Sequence, residues 1–317
     1  MKRVLITGAS GFIGQHIVRV LCNHNYILRK AVRDGNKNDC APDISIVGNI
    51  DGMTSWKKAL RDVDIVIHLA ARVHLLKDNT ANPLYEFRKV NVNGSINLAR
   101  QAAESGVKRL IFLSSVKVNC EQSSSGIPLT EASPLLPESA YGISKMEAEQ
   151  GLLNIAKKTG LEVVILRPPL VYGPGVKGNF LNMMEWLIKG IPLPFGAINN
   201  NRSFVAVENL VNFLVLCLDH PAAVNQIFFV SDGKDLSTTE LLRCLAKKMS
   251  CPSRLVPIPQ RLLEISLKTI GRQDLVSKLC KSFQVDIRKA QTFLGWQPII
   301  TIESGLDNTA KWFMGHR

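Results

Sequence analysis

The chain has 317 residues, 46% of them hydrophobic, with 39 basic and 26 acidic side chains and a formal net charge of +13. That length suits one large α/β unit with a smaller second lobe and can bury a sizeable core. No apolar run reaches eighteen residues, and the seven cysteines are odd in number and form no C-x-x-C pair, which argues against a spanning helix and against a metal site and leaves reduced thiols in a cytoplasmic protein as the expectation.

In chain order, Val4–Thr7, Leu28–Arg33, Asp64–His68, Arg109–Leu113 and Glu162–Arg167 read as buried strands. Gly14–Asn23, Ser55–Leu60, Pro83–Gly106 and Tyr141–Thr159 read as the helices between them. This alternation predicts an α/β fold with a doubly wound parallel sheet, its ligand lying beyond the strand C-termini where the strand order reverses. The rhythm breaks at Pro168-Pro169 and Tyr172-Gly173-Pro174-Gly175. Residues 1–167 are therefore expected as the first domain and 168–317 as a smaller α/β lobe, with Val205–Leu218 and Ile227–Val230, within 205–231, returning to the main sheet. The segment Gln260–Phe283 mixes leucine and isoleucine with lysine and arginine; it reads as a core-facing helix broken at Gly271, with contact to a membrane surface as the lesser alternative. The remaining basic residues are dispersed, without a nucleic-acid motif or an aromatic-rich basic platform, so a solvated surface that steers anions is the reading and nucleic acid is not an expected partner.

Two motifs carry the chemistry. Thr7-Gly8-Ala9-Ser10-Gly11-Phe12-Ile13-Gly14 sits between a strand and a helix, the context a dinucleotide fingerprint needs. Gly8 permits the tight turn, Gly11 lets backbone approach a pyrophosphate, and Gly14 lets helix and strand pack closely. The helix N-terminus then offers N–H groups to the phosphates. Tyr141 and Lys145 are four residues apart, on one face of a helix. A free tyrosine titrates near ~10, too high for acid–base work at neutral pH, and a neighbouring ammonium is expected to lower it. Ser114-Ser115 follow the apolar run 110–113, so a serine just past a strand end can bond the substrate oxygen.

With these motifs the chain resembles an extended short-chain dehydrogenase/reductase, in the nucleotide-sugar branch of UDP-glucose 4-epimerases and related bacterial 4-ketoreductases. The resemblance covers essentially the whole chain. It implies an NAD(P)-binding Rossmann domain over 1–167 and a nucleotide-sugar lobe over 168–317. It makes Ser115, Tyr141 and Lys145 the catalytic residues. Gly8, Ser10, Gly11, Phe12, Ile13, Gly14, Asn49, Ile50, Leu69, Ala70, Ala71 and Pro168 would line the cofactor with Tyr141 and Lys145, while Asn91 ties strand to helix. For substrate it points to Ser115, Tyr141, Asn179, a stacking face at Phe195, and Arg202 on the diphosphate. Val116 and Lys117 stand where dehydratases carry a carboxylate pair, which argues against elimination of water.

At the end of the second strand the family's tight-NAD epimerases carry an aspartate where Val32 stands here. Arg33 follows and resembles the residue that takes the 2′-phosphate of NADP, with Lys30 or Arg29 adding charge. NADP(H) is the expected cofactor; NAD(H), with Asp34 on the ribose, is the alternative. The resemblance then implies a 4-reductase of a UDP-4-keto-6-deoxy-N-acetylhexosamine in surface-polysaccharide synthesis. A UDP-glucose or UDP-N-acetylglucosamine 4-epimerase with tightly bound NAD is the alternative, and a non-catalytic dinucleotide-binding regulator ranks last because serine, tyrosine and lysine are all retained. A homodimer built on Pro83–Gly106 and Tyr141–Thr159 is also implied.

Overall fold

The computed structural model describes residues 1–34, 43–73, 82–123, 126–269, 275–276 and 279–316. The apolar run Val4-Leu5-Ile6 is wholly buried at the centre of a sheet. It lies in β1 (Lys2–Thr7), between β2 (Tyr26–Val32) and β4 (Ile65–His68), with both pairings parallel. The other strands are β3 (Ile44–Ile46), β5 (Arg109–Leu113), β6 (Glu162–Arg167), β7 (Leu170–Tyr172), β8 (Phe204–Ala206) and β9 (Ile227–Phe229). Seven of them form one sheet in the order β3-β2-β1-β4-β5-β6-β9, while β7 and β8 pair apart from it. The chain order reverses between β1 and β4, and the crevice beyond their C-termini is the place such a sheet offers a ligand.

Alternate side chains feed two cores. Val4, Ile6, Ile65, Ile67, Val164 and Leu166 pack with α1 (Phe12–Leu21) and α6 (Val207–Asp219). Leu5, Val66, Leu110, Phe112, Val163 and Ile165 pack on the other face with α3 (Ser95–Glu104) and α4 (Ala140–Thr159). Burial on both faces is why these strands read as unbroken apolar runs. The expected 83–106 helix is α2 (Pro83–Phe87), a π-helical turn over Arg88–Gly94, and α3 in succession.

One local expectation is corrected, and one strand was not foreseen. Over 55–60 there is a turn at 57–60 rather than a helix: Trp56, Ala59 and Leu60 are buried, and a single Leu60-to-Trp56 backbone bond of 2.8 Å closes the turn. The short edge strand β3 is too brief and too exposed to leave a periodic signal.

The smaller lobe has its own core. Tyr172, Phe180, Met183, Met184 and Leu187 meet Leu241, Leu242 and Leu245 of α7 (Thr238–Lys248) and Leu306 and Phe313 of the helix Ile302–Gly315. Phe180 and its neighbours belong to α5 (Asn179–Ile188). Helix α8 (Gln260–Thr269) buries Leu263 but leaves Leu262 and Ile265 more than half exposed, so it faces the core only in part. Gly271, the expected break, lies outside the described residues. Among those residues no helix is long and apolar enough to cross a membrane. Phe12 packs against both the β1 core and this lobe's core, which puts the glycine turn at the seam between them.

Candidate active site

The glycine turn is built by steric necessity. Gly8 has φ +70°, and a Cβ there would come within 2.7 Å of the Ala70 amide nitrogen. At Gly14 a Cβ would lie 2.1 Å from the Gly8 carbonyl, so only glycine lets α1 start this close to the end of β1. At Gly11 an added Cβ meets only that carbonyl, at 3.2 Å, leaving the outer side open. Gly11 N donates to Gly8 O at 3.0 Å and stands as the N-cap of α1. Ser10 beside it is exposed. The turn therefore presents backbone and a helix N-terminus, the elements that receive a diphosphate.

The walls follow from β1 and β4. Leu69 N donates to Thr7 O, and Ala70 N to Thr7 Oγ1, each at 3.2 Å. The Thr7 hydroxyl also meets His68 Nδ1 at 2.6 Å, and His68 Nε2 meets Ser95 Oγ at 2.9 Å. Burial, with the Lys145 charge adding to it, pushes His68 down to about 3, so this imidazole is neutral. Asn91 takes the structural role expected of it. Its side chain accepts from Arg72 N at 2.8 Å and donates to Arg72 O and to Ser144 Oγ on α4. Asn49 is exposed, whereas the side chain of Ile50 packs where a Cβ on Gly94 would sit, 2.6 Å away. The Pro168 carbonyl accepts from Val116 N at 3.2 Å. Beyond β2, Arg33 and Asp34 are both exposed. Arg29 adds no charge there: it pairs with Asp43 at 2.8 Å and donates to the Ala59 and Arg61 carbonyls.

Ser115, Tyr141 and Lys145 are brought together by the end of β5 and the start of α4. Tyr141 hydrogen-bonds the Ser115 side chain, and the Phe87 ring meets the Tyr141 ring edge-on at 6.1 Å. Lys145 Nζ donates to Leu113 O at 2.8 Å and lies 4.3 Å from the centre of the Phe112 ring. Ser139 N-caps α4 by accepting from Gly142 N.

One electrostatic expectation is reversed in the protein alone. Burial pushes the Tyr141 phenol up to about 12, with the Ser115 bond opposing, and no lowering by Lys145 accompanies it. Burial also pushes the Lys145 ammonium down to about 7, with Glu149 opposing. Each charged form is penalised because the pair is desolvated together. Helix spacing could have revealed Glu149, which lies four residues beyond Lys145 on the same face and which the motif reading passed over. Lys117 is engaged, pairing with Glu121 at 2.7 Å.

The residues expected on the substrate side lie in unlike environments. Asn179 is exposed at the first position of α5. The half-buried Arg202 donates to the Lys281 carbonyl at 2.9 Å, and desolvation of its guanidinium pulls it down to about 10. Phe195 is only 8% exposed, packed with Leu193 and Ile198 in the lobe's core. The stacking face expected of it is corrected to a core position.

The comparisons with known proteins agree with this geometry. The chain is 45% identical over 316 residues, 99% of its length, to a UDP-glucose 4-epimerase of Vibrio cholerae, of which it covers 96%. It is 26% identical to a dTDP-4-dehydro-6-deoxyglucose reductase of Escherichia coli, covering 97% of this chain and 96% of that one. Among solved structures, UDP-glucuronic acid 4-epimerase from Bacillus cereus in complex with NAD has a TM-score of 0.79 at 21% identity, covering 99% of both chains, and shares the fold. A family model described as the NAD dependent epimerase/dehydratase family matches residues 4–230, and the chain belongs to that family.

Proposed function

We propose that the protein is a 4-epimerase of a UDP-linked hexose that works with tightly held NAD. The observation that carries this reading is the 45% identity, along nearly the whole chain, to a relative named UDP-glucose 4-epimerase, against 26% to the reductase. Gly8, Gly11 and Gly14 at the free N-terminus of α1, with Leu69, Ala70 and Ala71 opposite, fit a dinucleotide, and Asp34 takes its adenosine ribose. Bound NAD would supply the hydride acceptor at C4 and a positive charge that favours the phenolate.

In this reading Tyr141 removes the C4 hydroxyl proton as C4 becomes a ketone; the ketosugar turns over, hydride returns to the opposite face of C4, and Tyr141 returns the proton to the same oxygen. Ser115, already bonded to Tyr141, holds that oxygen in line. Lys145 stabilises the tyrosinate and bonds the nicotinamide ribose. Arg202 pairs the diphosphate as a planar donor fork, with Asn179 beside it. The helices 83–104 and 140–159 form the contact of a homodimer.

A second reading, an NADPH-dependent 4-ketoreductase, is favoured by one local observation: Val32 occupies the aspartate position of tight-NAD epimerases, and Arg33 is exposed next to it. The test releases nucleotide from the purified protein by denaturation, identifies it by chromatography, and follows UDP-glucose and UDP-N-acetylglucosamine without added reductant. Copurified NAD with C4 interconversion is expected. Absence of interconversion, with stoichiometric NADPH oxidation on a UDP-4-keto-6-deoxy sugar, would overturn the epimerase reading.

A further inference from the structure

Three consecutive residues at the end of β5 meet three residues of α4 spaced four apart. Ser115 bonds Tyr141, the Leu113 carbonyl accepts from Lys145, and Ser114 Oγ donates to Glu149 Oε1. Positions 141, 145 and 149 run along one helix face. The proposed function uses the first two contacts and leaves the third without a role.

Glu149 and Arg167 have side chains only 2% exposed. The carboxylate accepts from Arg167 Nε at 3.0 Å and from Nη2 at 2.5 Å, while Nη1 donates to Asn119 Oδ1 at 3.2 Å. A buried ion pair is a poor device for joining α4 to β6, since apolar residues of equal volume often hold as well. What it adds is a fixed negative charge one helical turn beyond Lys145.

We infer that Glu149 is a positioning residue: pinned by Arg167 and Ser114, it holds α4 in register against the end of β5 and sets a carboxylate one helical turn beyond Lys145 on the face they share. This rests on the reading of Tyr141 and Lys145 as the proton-transfer pair. The groups facing Lys145 are Tyr141 and Glu149, one turn either side of it on α4, the Leu113 carbonyl and Phe112 ring from β5, and neutral His68 from β4, while Arg167 from β6 pairs with Glu149. Of these, Glu149 is the anion, and it opposes the burial that pulls Lys145 down.

The test uses the full-length protein with 13C-labelled lysine, the Lys145 signal being assigned by its loss in Lys145→Met. Glu149→Gln is expected to lower the Lys145 titration midpoint by about one pH unit. The alkaline limb of kcat moves down with it, and KM stays within about twofold. Ser114→Ala, which leaves the ion pair in place, is expected to lower kcat by roughly three- to tenfold without changing the folded spectrum, and it decides the matter if Glu149→Gln does not fold. An unmoved Lys145 midpoint in folded Glu149→Gln overturns the inference, as does an unmoved kcat in Ser114→Ala where the glutamine variant is lost. The NMR titration needs no nucleotide sugar. A shifted midpoint in a protein without turnover therefore supports Glu149's hold on Lys145 while refuting the proposed reaction.

Discussion

In the sheet half, the candidate site groups hang from strand ends or the first two turns of α4, and each is fixed by a bond to backbone or to another side chain: Tyr141 against Ser115 past β5, Lys145 against Leu113 O, and the wall residue His68 between Thr7 and Ser95. In the smaller lobe the residues expected to meet substrate have no such common frame. Arg202 is held by a carbonyl from residue 281, Asn179 opens a helix at the surface, and Phe195 is core. In the proposed reaction the half that transfers hydride must hold its groups closely whatever the sugar, and the sheet supplies that rigid frame. In the same reading the lobe fits a particular sugar and nucleotide, and its residues answer to the local packing of that lobe.

The largest expected effect breaks the first half of this contrast. Tyr141→Phe removes the hydroxyl and little else, so kcat should fall by about 10³-fold, within the range of a lost acid–base group, while the copurified nucleotide stays at the parent's stoichiometry. A variant with near-parent turnover would end the assignment. Phe195→Ala tests the other half. If the ring is core, the variant loses about 3–5 kcal/mol in urea unfolding and keeps a KM for UDP-sugar close to the parent's. Unchanged stability with a raised KM would restore the stacking face.

The same contrast explains what could be read before any coordinates. Strand β5 ends at Leu113 as its apolar run predicts, and the parallel sheet follows from alternation of strands and helices, because burial on both faces writes itself into continuous hydrophobic runs. The trio Ser115, Tyr141 and Lys145 was legible because one pair has helical spacing and the serine follows a strand. Their titration was not, because desolvation depends on every neighbour at once and leaves no mark in spacing: Tyr141 sits at about 12 and Lys145 at about 7. Phe195 was misread since a lone Pro-Phe-Gly looks the same whether the ring points outward or in. Arg29 was misread because its partner Asp43 is fourteen residues away, on the approach to an edge strand too short to foresee.

A smaller effect sharpens how tightly the site's floor is closed. His68 is held down to about 3 by burial, so the folded protein stays neutral there while the unfolded chain, near ~6.5, binds a proton. Where the unfolded state binds more protons, stability rises with pH. This residue's contribution is therefore complete above pH ~6.5 and is lost as pH falls towards about 3, at up to about 1.4 kcal/mol per unit. Urea unfolding across that window, in the parent and in His68→Gln, isolates the slope as a difference between the two. Equal slopes would show that the imidazole is reached by solvent and that the Thr7–His68–Ser95 chain is not a closed floor.

The smallest expected effect bears on the one strand end where two adjacent residues could each claim the ribose. Arg33 and Asp34 both stand exposed beyond β2, one a donor fork for a phosphate and the other an acceptor for two hydroxyls. In the NAD reading Asp34→Asn weakens NAD about tenfold, the size of one hydrogen bond to a charged group, whereas Arg33→Ser changes it by less than about twofold and leaves NADPH weak. Titration of nucleotide-free protein with each dinucleotide measures both. The opposite pattern, with NADPH tight in the parent and lost in Arg33→Ser, would mean that this strand end, alone in the sheet half, had been tuned away from the proposed epimerase, and the reductase would then take its place.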